Sequence, residues 1–194
     1  MHGQKQYNKT DDYLITTIYG MVDGKWKLND IKVGLYGVYN KNAHDYFAMA
    51  EQAKENDHII DAFMYYNAAD NLQSPLGDMI KYEISEDAKK YTKHMRTKVA
   101  MKYKFPQKLS NIETQPIVEN IAPSKNARGL HPIITYRTFV AVEDTTGLKK
   151  EYEQVKAEVR KIYKGLNFDR DFMYYRAYNK YSEDVHLFED HKIN

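Results

Sequence analysis

The residue pattern predicts an α+β fold. It consists of an N-terminal β-hairpin, a packed helical hairpin, and a C-terminal strand–strand–helix–strand unit in a mainly antiparallel sheet. Three observations predict it. Asp23-Gly24 separates two runs rich in β-branched and aromatic residues. Between Tyr46 and Pro75, aromatic and small residues recur at helical spacing. From Ile134 onward, strand-like alternation gives way to a period of three to four and then returns. The chain divides into a hairpin-plus-helical region, 1–108, and an α+β region, 109–194, with a charged C-terminal tail; the alternative is one compact domain.

Residues 1–12 are polar and end-like. The run from Tyr13 to Val22, the Asp23-Gly24 pair and Lys25-Trp26-Lys27-Leu28 predict a hairpin with a two-residue turn, because both turn positions need positive φ. The second strand continues through Ile31, Val33 and Leu35. The odd spacing from Leu28 to Ile31 requires a bulge near Asn29-Asp30. Asn42 is an expected N-cap. Ala50, Ala62 and Ala69 let two helix backbones approach, with Ala50 expected against Ala69. A further helix is expected from Met79 to Met95, broken near Ser85. The Ile112, Ile117, Val118 and Ile121 stretch, with Pro116 and Pro123, predicts an edge strand or extended loop, and residues 125–129 an exposed turn. Ile134 to Val142 alternates as a long strand. Leu148, Tyr152, Val155, Val159 and Ile162 form one helix face, with Gly165 as its C′ residue. Phe172 to Tyr178 is the final strand, and residues 182–194 read as a solvated tail. The first hairpin is expected to join the C-terminal strands in one sheet, with the helical pair packed on it.

Two resemblances follow from these residues. Tyr46, Met49 and Ala50, then Ala62, Tyr66 and Ala69, then Pro75 resemble one tetratricopeptide repeat, spanning residues 43–75 in a single copy. Pro75 falls one residue late, and Ala53 replaces the usual aromatic. The resemblance implies a helical hairpin that presents a groove to a protein or peptide. A lone copy lacks stacked neighbours, so it must pack on something else. Residues 13–35, with the Asp-Gly turn, are similar to the terminal hairpin of cystatin-like and ketosteroid-isomerase-like cones. That similarity covers the hairpin alone and implies no pocket or catalytic residue.

Composition excludes several chemistries. There is no cysteine, which removes disulfides, thiolate-bound zinc and a cysteine nucleophile. Lys+Arg 29 against Asp+Glu 27 leaves a net charge of +2, so no global field draws the chain to nucleic acid or an anionic surface. No apolar run approaches the ~18 residues of a membrane span. The first residues lack a signal-peptide core, so the expected location is cytoplasmic, or periplasmic and envelope-associated if a leader has been removed. Abundant Lys, Asn, Asp and Tyr suggest an AT-rich bacterial genome. The 18 tyrosines, against 7 Phe and 1 Trp, favour half-buried faces and rims.

Four constellations could carry function. His186 and His191 lie among Glu183, Asp184, Glu189 and Asp190, but a solvated tail does not fix ligands, so no metal or cofactor is expected. His58 between Asp57 and Asp61 is a possible general base for a small hydrolase or isomerase, as is His131. Lys89, Lys90, Lys93, Arg96, Lys98, Lys102, Lys104 and Lys108, interleaved with Tyr91, Tyr103 and Phe105, could bind a nucleic acid weakly, or form a solvated helix face with its aromatics inward. Arg137 beside Arg176, with Tyr136, Tyr174, Tyr175 and Tyr178, could make a binding face. Phosphate loops, nucleophile elbows and zinc-protease motifs are absent from the sequence. The expectation is therefore a non-enzymatic binding or assembly domain recognising a protein or peptide through Tyr46, Tyr66, Tyr136, Arg137, Tyr174, Arg176 and Tyr178.

Overall fold

A computed structural model describes residues 11–126, 129–141, 143–179 and 185–191. Strands β1 (Asp11–Val22) and β2 (Lys25–Val38) pair antiparallel. Asp23 at φ 53° and Gly24 at φ 71° make the expected tight turn, whose twist matches the strands. Ile18 faces Asp30 while Tyr19 faces Leu28, so Asn29 is the extra residue of a bulge. The bulge returns Leu28 and Ile31 to one face, as their spacing demanded. The hairpin does not join the C-terminal strands. It is a two-stranded sheet of its own, anchored at its root, where Leu35 and Val38 pack beside the α-helices.

Helices α1 (Ala43–Glu55) and α2 (Ile59–Leu72) follow. Asn42 caps α1 in a reciprocal box with Asp45: the Asn42 side-chain Oδ1 accepts from the His44 and Asp45 backbone amides, and the Asp45 carboxylate accepts from the Asn42 backbone amide at 2.9 Å. Asp57, at φ 56°, reverses the chain, and so short a link makes the helices antiparallel neighbours. The small residues do bring the backbones together, but in two layers. Ala50 packs with Ala53, Ala62 and Tyr66, whereas Ala69 packs with Ala43, Tyr46 and Leu72. Antiparallel helices offset Ala50 from Ala69, so these two residues belong to successive layers.

Helix α3 (Ser85–Lys102) starts later and runs further than expected. Gly77, at φ 62°, and turn bonds from Gly77 to Ser74 and from Met79 to Leu76 keep the preceding segment out of the helix. Its Met95 joins the α1–α2 contact. Helix α2 is consequently buried on several sides: Ile59, Ile60 and Met64 enter the main core, while Ala62 and Tyr66 face α1 and α3.

Strands β3 (Gln107–Lys108), β4 (Ile117–Asn126), β5 (Gly129–Thr138), β6 (Phe172–Asn179) and β7 (Val185–His191) form the second sheet in chain order. Its pairs are antiparallel except β5–β6, which is parallel and bridged by helix α4 (Thr145–Ile162). Strand β5 stops at Thr138, whose Oγ1 accepts from the Val140 amide at 3.0 Å; Val142, expected in this strand, lies outside the described residues. So do Ala127 and Arg128 of the expected turn. Gly165 is not a left-handed cap. A Cβ there would press on the Tyr103 hydroxyl and on Ile59, and its backbone bonds both Ile60 and Tyr103. The tail also differs: residues 185–191 are strand β7, and the Phe188 ring stacks on Tyr152 with centroids 4.5 Å apart. One core cluster takes Ile59, Ile60, Met64 and Tyr103 together with Val118, Ile134, Tyr136, Tyr152, Val155, Val159 and Tyr175. Its residues come from both sides of position 108.

Candidate functional site

The β1–β2 hairpin is an arm with two unlike faces. Residues directly opposite in an antiparallel pair share a face. One face therefore carries the rows Tyr13/Leu35, Ile15/Val33, Thr17/Ile31, Tyr19/Leu28 and Met21/Trp26. None of these is charged. Apart from Leu35 at the root, all are exposed, with Trp26 at 67% and Ile15 at 65%. The other face is mixed: Lys25, Lys27, Asp30 and Lys32 on β2 lie across from Val22, Gly20, Ile18 and Thr16 on β1, so these four charges fall on this side. Single exposed apolar residues are ordinary; a contiguous exposed apolar set of this size is not. The alternation was visible in the sequence. Its exposure was not, because the hairpin was expected to be covered by helices.

The expected aromatic binding residues are mostly internal. Tyr46 is 2% exposed, Tyr66 0%, Tyr136 0% and Tyr174 4%. The Tyr46 hydroxyl donates to the Val38 carbonyl at 3.2 Å, and the Tyr66 hydroxyl donates to Glu51. Burial pushes the Tyr46, Tyr66 and Tyr136 hydroxyls well above their ordinary range. These rings hold α1, α2 and the sheet together and offer no contact area to a partner. Strand parity also splits the C-terminal set. Tyr136 and Tyr175 face the core, whereas Arg137, Tyr174, Arg176 and Tyr178 share the opposite face, with Arg137 beside Tyr178 and Thr135 beside Arg176. Arg137 pairs with Glu119 at 2.9 Å. Arg176 is exposed and sits next to exposed Leu187 on β7. Burial and the Glu119 carboxylate raise the Tyr178 hydroxyl.

A polar cleft of about 220 Å³ opens between α1, α2 and the loop after α4, lined by His58, Asp61, Tyr65, Asn167 and Arg170 among others. Two of the expected site residues, His58 and Asp61, meet here, while Asp57 turns outward to Lys102 at 3.3 Å. Asp61 is 1% exposed. It accepts from the Arg170 guanidinium and from the Asn167 amide, the latter at 2.6 Å. Burial pushes its carboxyl up, against the pull of Arg170 and of the Asn167 amide. Both carboxylate oxygens are engaged, so Asp61 ties the loop after α4 to α2.

The basic residues Lys89, Lys90, Lys93, Arg96, Lys98 and Lys102 are exposed along α3. The interleaved aromatics point inward: Tyr91 stacks on Tyr66 at 5.4 Å, and Tyr103 enters the core. That is the solvated-face arrangement. Among the described residues, no group of three or more His, Asp or Glu side chains converges as for a metal, and no helix is long and apolar enough to cross a membrane. No protein-family model matches the chain, and no curated protein or solved structure is significantly similar to it.

Proposed function

We propose that this chain is a non-enzymatic binding or assembly domain whose partner is a protein, engaged through the apolar face of the β1–β2 arm. The observation that carries the reading is that face: five cross-strand rows, uncharged and exposed from Tyr13 to Trp26. A hairpin of two strands gains little stability alone and needs a third strand or a packing partner. The tetratricopeptide-like α1–α2 pair acts in this reading as the rigid base of the arm, since its Tyr46 and Tyr66 are committed to the core. The fully paired Asp61 favours a structural over a catalytic use of the polar cleft. Photo-crosslinking tests the proposal. A benzophenone side chain placed at Ile15 in cells should yield covalent adducts to protein, and one placed at Thr16, on the opposite face, should not. Equal yields from both positions, or none from Ile15, would refute it.

A further inference from the structure

We infer that the occupant of the arm's apolar face is the same face of a second copy, giving a two-fold, four-stranded sandwich. This rests on the reading of the arm as a protein-docking surface. The first argument is area. Tyr13, Ile15, Tyr19, Met21, Trp26, Leu28, Ile31 and Val33 are each about half to two-thirds exposed. Together they present on the order of 900 Å² per copy, close to what one partner contributes to a standard stable interface.

The second argument is charge. The face holds no ionisable carboxylate, amine or guanidinium, so its own copy brings no like-charge repulsion and no buried ion. Lys25, Lys27, Asp30 and Lys32 stay on the outer, solvated side. A nucleic acid or anionic surface would be met by the lysines, which point the other way.

The third argument is layout. The middle row, Thr17/Ile31, holds the smallest side chain of the face, and the end rows each hold one aromatic and one aliphatic side chain, Tyr13/Leu35 and Met21/Trp26. A two-fold axis through the middle row sets each root row against the partner's tip row. Sheets can then close at ~10 Å with interdigitated side chains. A twelve-residue strand extends ~40 Å, so antiparallel arms keep the two helical bodies at opposite ends.

The test uses the full chain. Sedimentation from low to high micromolar concentration should show a monomer–dimer equilibrium. Thr17→Glu, exposed in the monomer and therefore harmless to its fold, should weaken the dimer by on the order of 100-fold or more, because it buries two like charges at the axis. Circular dichroism should match the parent. Since the chain has no cysteine, Thr17→Cys provides a single thiol. A bifunctional thiol reagent shorter than two sheet thicknesses should link Thr17→Cys into dimers and leave Thr16→Cys unlinked. A monomer at every concentration, or a dimer indifferent to Thr17→Glu, overturns the inference. If that monomer still crosslinks through Ile15 to a different protein, the docking reading survives and only the identity of the occupant is wrong. If it co-sediments instead with phosphatidylcholine vesicles, both are wrong.

Discussion

Gly34 of the arm lies against the carbonyl of Pro75, so close that a Cβ on Gly34 would overlap that carbonyl oxygen and carbon. The obstacle is backbone, which cannot swing aside. Gly34 is therefore where the arm meets the base, and its missing side chain sets the angle between them. Gly34→Ala is expected to cost ~1–3 kcal/mol and to lift the root of the arm. Gly20→Ala is the control, because nothing lies within 4 Å of a Cβ there. Thermal melting compares the two, and amide exchange in β2 should rise for Gly34→Ala alone. Equal melting temperatures would remove Pro75 as the anchor.

Asp61 and Arg170 form a second tie, between α2 and the loop before β6. The side chain of Arg170 is 12% exposed and that of Asp61 2%. Asp61→Ala strands the guanidinium and the Asn167 amide, at an expected cost of ~3–5 kcal/mol. Asp61→Leu combined with Arg170→Met removes both charges and should regain most of that loss. Urea unfolding of the three proteins decides it. A loss below ~1 kcal/mol for Asp61→Ala would mean that water already serves the pair.

Glu151 faces inward from α4 at 1% exposure, and neither carboxylate oxygen has a hydrogen-bond partner among the described residues. The Tyr136 and Tyr175 hydroxyls likewise have no hydrogen-bond partner among the described residues. An isolated polar group in such surroundings costs stability outright. Glu151→Met is expected to stabilise the protein by ~1–3 kcal/mol, read as a higher urea midpoint with unchanged slope. A lower midpoint would show that the carboxylate has a role in holding α4 in place.

Local signals made much of this fold legible. The Asp23-Gly24 turn, the bulge at Asn29, the Asn42 cap and the apolar stripe of α4 each depend on neighbours within a turn or two, and the structure contains all four. What failed depended on long-range pairing. Strand β7 was unreadable because its apolar residues fall on opposite faces: Phe188 enters the core while Val185 and Leu187 remain exposed. Asp190 on that strand pairs with Lys156 at 2.5 Å, a contact that no local pattern announces. The tyrosines misled for a related reason. Their abundance suggested a surface, but Tyr66 reaches Glu51 with its hydroxyl and can therefore be buried whole. The arm's face had the right alternation for a buried strand, and sequence alone does not reveal whether a cover exists.

Glu158, near the end of α4, gives stability a defined acid dependence. Its carboxylate accepts from Asn111 Nδ2 at 2.7 Å and from Lys161 Nζ at 3.1 Å. The Asn111 bond first, and Lys161 second, hold its carboxyl below the ordinary 4.5. The unfolded chain therefore takes up the proton before the folded one as pH falls. The stabilisation is fully present above 4.5 and disappears as pH drops through the lower, folded value. Glu158→Gln removes the charge but keeps an acceptor for Asn111. It should be less stable than the parent at neutral pH, with the gap narrowing as pH falls below 4.5. Urea midpoints measured for both proteins across this range provide the check. A gap that stays constant down to acid pH would mean that the charge on Glu158 contributes nothing, and that α4 is held to the segment at Asn111 by packing alone.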